Sequence, residues 1–336
     1  MVKAELQALH LVAGDGRNVA ARLAIAAGIS RQAASARLNK LVQADLLLRT
    51  GHGAGVRYEL ATTQQIQQQF AREGLSEDRV WRGLLLPLVA DLPQNVIDIW
   101  QYGMTEMINN AIDHSGSVHV WVGLRRTALR VEAYVRDDGE GIFLRIQKAL
   151  KLFDPRESIL ELAKGKFTTD PENHSGEGIF FTSKVFDEFH IQSGNLFFRH
   201  DDGETDVLLE EPTEIPGTTV RMVLGVASTK TTKEVFDRFA APEEFTFAKT
   251  VVPVKLAQHE GEKLVSRSQA KRLTMRFERF QTVILDFQEV AEIGQGFADE
   301  VFRVFQHAHP ATLLVPTNMS QAVEAMVQRA MAGRRG

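Results

Sequence analysis

The chain has 336 residues, long for one domain, and its 44% hydrophobic and 24% charged residues give it enough apolar material for a core while excluding a disordered or membrane-filling composition. Its formal net charge is −4 and it contains no cysteine, which excludes a disulfide framework, thiolate metal ligation and a cysteine nucleophile, and fits a cytoplasmic location. The most apolar run, GLLLPLVADL at 83–92, is too short to cross a bilayer and contains Pro87, and the N-terminus lacks the apolar core of a secretory signal, so no membrane partner is expected.

Charge is uneven along the chain. Residues 1–60 hold eight Lys or Arg against four acids, a net of +4, which leaves −8 on the rest. A small basic head on an acidic body predicts that only the head meets nucleic acid. Within it, the pattern between Asn18 and Val42 predicts two short helices joined at Gly28-Ile29, with Ser30 capping the second. The segment ADLLLRTGHGAGVRYEL then predicts two strands around a Gly-rich tip from Gly51 to Gly55. Helix, turn, helix and hairpin over 1–62 resembles the winged helix-turn-helix domains of bacterial transcription regulators. That resemblance implies that Arg31, Gln32, Ser35, Arg37 and Asn39 face DNA, with Arg49, His52 and Arg57 in the wing near phosphate. One copy at +4 neutralises few phosphates, and a homodimer would double that number. A winged helix used only for protein contacts is the alternative.

Residues 63–80, Gln-rich with Ile66 and Phe70 at helical spacing, predict a linker helix. Beyond them TEMINNAIDH, 105–114, sets Glu106, Asn110 and Asp113 along one helical stripe, while Ile108, Ala111 and Ile112 take the core side. Taken alone, this is as well read as a solvated surface helix. Two strands follow, SVHVWVGL and ALRVEAYV, and the second runs into RDDGEGI, where Gly139 and Gly141 after Asp137 form a turn that lets backbone approach a flat ligand. Further on, Gly176 and Gly178 open an apolar helix pattern, where bare N–H groups can meet phosphates; taken alone, this is as well read as a helix cap after a disordered loop. IPGTTVRMVL at 215–224 then predicts a turn at Pro216-Gly217 and a strand.

These four motifs, in this order, resemble the ATP-binding domain shared by DNA gyrase, heat-shock chaperones, histidine kinases, anti-sigma-factor kinases and mismatch-repair ATPases, the GHKL superfamily. The resemblance covers about residues 80–225 and implies an α/β sandwich, here assigned to 81–230, that binds ATP with Mg2+. Carried over, it makes Asn110 the metal ligand, Glu106 the group that polarises water, and Asp113 a support of the pocket floor. It makes Asp137 the acceptor of the adenine amine with Thr218 assisting, Gly139 and Gly141 the surface under the base, and Gly176 and Gly178 the phosphate contacts. Lys164 or Lys166 would neutralise phosphate charge. SGEGIFF is poorer in glycine than the fuller family pattern, which implies slow turnover.

From about 250, strands alternate with helix patterns: TVVPVKL, SRSQAKRLTMRFERF, TVILDF, GFADEVFRVFQHA, ATLLVP and SQAVEAMVQRAM. This predicts a small, mainly parallel α/β domain over 245–332. It resembles the STAS-like relatives of anti-sigma-factor antagonists, which implies a protein partner. Gln295 and Gly296 stand where those antagonists carry a phosphorylatable serine. Ser266, Ser268 and Thr274 are expected to be a cap and surface groups, and Phe297 and Phe302 core. The chain as a whole reads as a multidomain α/β protein, an ATP-responsive DNA-binding regulator. The alternatives are a serine kinase of the anti-sigma type acting on a separate partner, and a DNA ATPase like the mismatch-repair group.

Overall fold

A computed structural model of the chain describes residues 3–167, 176–204, 206–240, 247–258 and 262–332. The N-terminal unit packs three helices, α1 (Lys3–Gly14), α2 (Val19–Ala27) and α3 (Arg31–Gln43). Gly28 ends α2 in the left-handed conformation, and the Ser30 hydroxyl caps α3 by accepting from the Ala33 amide at 3.1 Å, as the sequence predicts. Strands β1 (Leu47–Thr50) and β2 (Arg57–Leu60) form an antiparallel hairpin. Leu9, Leu23, Leu38, Leu47 and Tyr58 close a small separate core, with Ala128 and Leu129 packed against it.

The expected linker helix over 63–80 is not formed. Residues 64–71 are a strand, β3 (Gln64–Ala71), and only α4 (Glu77–Val80) is α-helical in that stretch. A spacing of four places Ile66 and Phe70 on one side of a strand as well as of a helix, because four is a multiple of the strand period. The pairing partner decides: β3 lies antiparallel along β4 (His119–Arg126), from Gln64 opposite Arg126 to Ala71 opposite His119.

The apolar run at 83–92 starts in a π-helical turn (Trp81–Leu85), passes through α5 (Leu86–Val89) and ends in a turn; Leu85 and Val89 are buried, as is Trp81 just before it. Then come α6 (Gln94–His114), β4, β5 (Arg130–Asp137), α7 (Ile142–Leu150), α8 (Glu157–Lys164) and α9 (Gly178–Val185), followed by β6 (Glu188–Asp201), β7 (Val207–Gly225) and α10 (Thr232–Phe239). The sheet has the order β3-β4-β5-β7-β6 with every neighbour antiparallel. Pro216-Gly217 lies inside the long β7 rather than before a strand; Gly217 has φ 68° and the register with β6 breaks nearby, between Ser193 and Leu196. Helix α6 packs on β4 and β5, and α7 and α9 on β6.

The C-terminal unit has a parallel three-stranded sheet, order β10-β9-β8, from β8 (Lys249–Pro253), β9 (Thr282–Asp286) and β10 (Leu313–Thr317). Its helices are α11 (Arg267–Thr274), α12 (Gln295–Asp299) continuing through a π-helical turn into α13 (Gln306–Ala308), and α14 (Gln321–Ala332). The helix expected over 266–280 stops at Thr274, and Arg276 takes φ 66°. Ser266 is a cap, accepting from the Gln269 amide at 3.2 Å. Thr274 is not a surface group: it is buried, and its hydroxyl donates to the Ala270 carbonyl at 3.0 Å. Phe297 and Phe302 are core residues, as expected. One apolar cluster runs from Val80 to Ala330, so the central and C-terminal units share a core rather than meeting through a linker.

Candidate functional site

Against the inner side of α6 lies a cavity of about 280 Å3, lined among others by Glu106, Asn110, Asp137, Gly141, Gly178 and Thr218. At the end of β5, Asp137 is buried at 5% exposure. Its Oδ1 accepts from the Gly139 amide at 2.9 Å and the Thr218 amide at 3.2 Å. Burial nonetheless pushes its carboxyl up from the usual range, more than these two bonds lower it. Thr218 Oγ1 accepts from the Ile142 amide at 3.0 Å, and Ser193 Oγ donates to the Gly217 carbonyl at 2.8 Å. Strands β5, β6 and β7 are thereby tied to the start of α7 beneath the cavity.

Close approach explains two of the glycines. A Cβ on Gly139 would stand 2.0 Å from the Ser115 carbonyl oxygen, and one on Gly178 would stand 1.9 Å from Glu106 Oε2. The Glu106 carboxylate therefore rests against the first residue of α9, where a helix favours an anion. Gly141 precedes α7, and Gly176 lies beside the backbone of Phe167; both also line the cavity, whereas Gly139 does not. The intervening part of the glycine-bearing loop, 168–175, lies outside the described residues.

Two features fit a hard divalent cation. The Asn110 Nδ2 is buried with no hydrogen-bond partner among the described residues, and half a turn of the amide would put its oxygen in that place. Glu106 stands one turn away on the same helix. Tyr102, one turn earlier still, has its hydroxyl pushed well above the usual range, first by burial and then by the charges of Glu106 and Glu177. A cation there would relieve that concentration of negative charge. A second cluster, Glu188, His190 and Asp201, offers ligand atoms close together, but Arg221 already supplies the positive charge, 2.8 Å from Glu188 and 3.2 Å from His190.

Several expected positions fall elsewhere. Asp113 is exposed and does not line the cavity. The lining residues Glu106, Asn110 and His114 advance about 40° per step of four, and Asp113, about 100° from His114, falls beyond the trailing edge of that arc. Lys164 does not reach toward phosphate: it is fully buried, pairs with Glu161, and donates to the Arg272 carbonyl at 3.2 Å and the Met275 carbonyl at 2.9 Å. Lys166 donates to the Arg279 carbonyl at 3.1 Å and lies over the Phe247 and Phe280 rings. The lining cation is instead Arg145, whose guanidinium donates to the His114 carbonyl. Its position one turn after Gly141 is the signal that could have found it.

On the N-terminal unit, Arg31, Gln32 and Asn39 are exposed along α3, while Ser35 and Arg37 are half-buried and the Ser35 hydroxyl donates back to the Arg31 carbonyl at 3.0 Å. Arg49, His52 and Arg57 are exposed on the hairpin.

Residues 269–324 match the family model of the STAS-like domain of unknown function (DUF4325). No curated protein matches the chain. Among the described residues no helix is long and apolar enough to cross a membrane.

Proposed function

We propose that the protein binds ATP with Mg2+ in the cavity beside α6, as a GHKL-type site, and that nucleotide state governs how its N-terminal winged helix binds DNA. The observation that carries the reading is the buried Asp137, its carboxylate fixed by the Gly139 and Thr218 amides at the floor of a cavity whose side wall is Glu106 and Asn110. A fixed, buried acceptor suits an exocyclic amine, and its elevated carboxyl fits a group held for a ligand rather than for stability. Asn110 and Glu106 would hold the metal, which supplies charge neutralisation of the triphosphate. Gly178 at the start of α9, now against the Glu106 carboxylate, would offer its backbone to phosphate, and Glu106 would orient water.

The exposed residues of α3 and the hairpin support a DNA-facing role for the head, and the STAS-like unit would receive a protein partner. A homodimer would present two heads. Titration calorimetry with ATP and Mg2+ tests the nucleotide claim, and a DNA-shift assay at stated salt with and without nucleotide tests the coupling. Nucleotide that leaves DNA affinity unchanged would remove the regulator, and transfer of a γ-label to protein would favour the serine kinase instead.

A further inference from the structure

Within the apolar core that the central and C-terminal units share lies a buried polar cluster at α8. All eight residues of α8 are buried, among them Glu157, Glu161 and Lys164. Lys164 reaches out of α8 to the carbonyls at the end of α11, those of Arg272 and Met275. Arg276 reaches the opposite way, donating to the carbonyls of Gly165 and Lys166 just past the end of α8. Glu161 pairs with both cations, meeting Arg276 at 2.8 Å. Each unit thus supplies the cation that covers the other's helix end, and one carboxylate serves both.

The segment held in this way is a wall of the cavity. Gly165 and Phe167 line it, and the Phe167 amide donates to the Gly176 carbonyl at 3.1 Å, joining the two described ends of the glycine-bearing loop. The Arg276 guanidinium stands 5.5 Å from the Phe167 ring centroid. Arg276 adopts a positive φ that a side chain rarely takes, and its Nε is buried without a partner among the described residues. The placement of its terminal nitrogens has prevailed over both local preferences. Glu157 with Arg272 adds a second ion pair across the same join, at 3.2 Å.

We infer that Arg276 is a positioning residue for the cavity: from the STAS-like side it holds the wall at Gly165–Phe167, so that occupancy of the cavity and the packing of the C-terminal unit are coupled, a role that rests on the nucleotide reading above. Ligand that favours one arrangement of the wall favours one arrangement of 272–280, and a partner docking on the C-terminal unit changes ligand affinity by the same factor.

Hydrogen exchange on the full chain tests this, with wild type, R276Q and R276K each measured with and without saturating ATP and Mg2+. In wild type, nucleotide should slow exchange across 266–280. In R276Q affinity should fall about ten-fold, and at saturation that remote response should disappear, with R276K recovering part of it. A remote response that persists in R276Q overturns the inference, because a merely structural arginine would leave it in place. If wild type binds no nucleotide, the ATP reading fails by itself, and the unliganded proteins still decide: R276Q must speed exchange of the Phe167 amide relative to the sheet, and equal rates overturn the clamp. Should R276Q not fold, R276K is compared with wild type instead, since one ammonium keeps the charge opposite Glu161 but cannot span two carbonyls: its remote response must be smaller than that of wild type, and an equal response overturns the inference.

Discussion

Glu106 Oε2 occupies the space that a side chain on Gly178 would need, 1.9 Å from where its Cβ would stand. The helix carrying the acid and the helix carrying the glycine are therefore matched to one another. Gly178→Ala should push the carboxylate aside while leaving the fold intact, since the far end of a flexible side chain yields easily. ATP hydrolysis should fall at least about ten-fold, equivalent to about 1.4 kcal/mol in the barrier, with Tm little changed. Hydrolysis at the wild-type rate would separate Glu106 from the chemistry.

Asp137 predicts an exchange of stability against binding. Its folded carboxyl lies above the ordinary 3.8, so the folded state holds the proton more tightly than the unfolded one and stability declines as pH rises through the folded value. Asp137→Asn keeps an oxygen for the Gly139 and Thr218 amides and removes the buried charge. It should lose nucleotide binding in calorimetry yet melt no lower than wild type at neutral pH. A clear drop in Tm would mean that the carboxylate is structural.

Glu161 faces two buried cations, Lys164 and Arg276. Glu161→Ala strands both, and removing one member of a buried ionic network typically costs about 3–5 kcal/mol. Urea unfolding should show a loss of that size, larger than for Arg125→Ala, whose partner Glu132 is only partly buried and whose pair at 3.0 Å is half exposed. Equal losses would show that the join contributes nothing special.

On the head, Arg57 and Gln32 are both exposed, but they are expected to act differently. Arg57→Ala should weaken binding to all DNA sequences and reduce the salt slope by about 1, the signature of a phosphate contact. Gln32→Ala should cost about 1–3 kcal/mol at one base position and leave the slope unchanged. Fluorescence anisotropy across a salt series distinguishes them.

Local pattern was enough for much of this chain. The cap at Ser30, the helix break at Gly28, the strands β4 and β5, the Asp137 turn and the alternating C-terminal strands and helices are each written within a few neighbouring residues, where dihedral preference and periodicity act. Glu106, Asn110, Asp137, Gly141, Gly176, Gly178 and Thr218 line one cavity. Tertiary structure decided what local pattern leaves open. Ile66 and Phe70 suit either period, and the edge of β4 made their segment a strand. Lys164 looked like a lysine for phosphate, but backbone carbonyls more than a hundred residues away captured it, and Arg145 took the place facing the cavity. A buried charge must find its partners wherever the fold brings them, and sequence separation gives no measure of that distance.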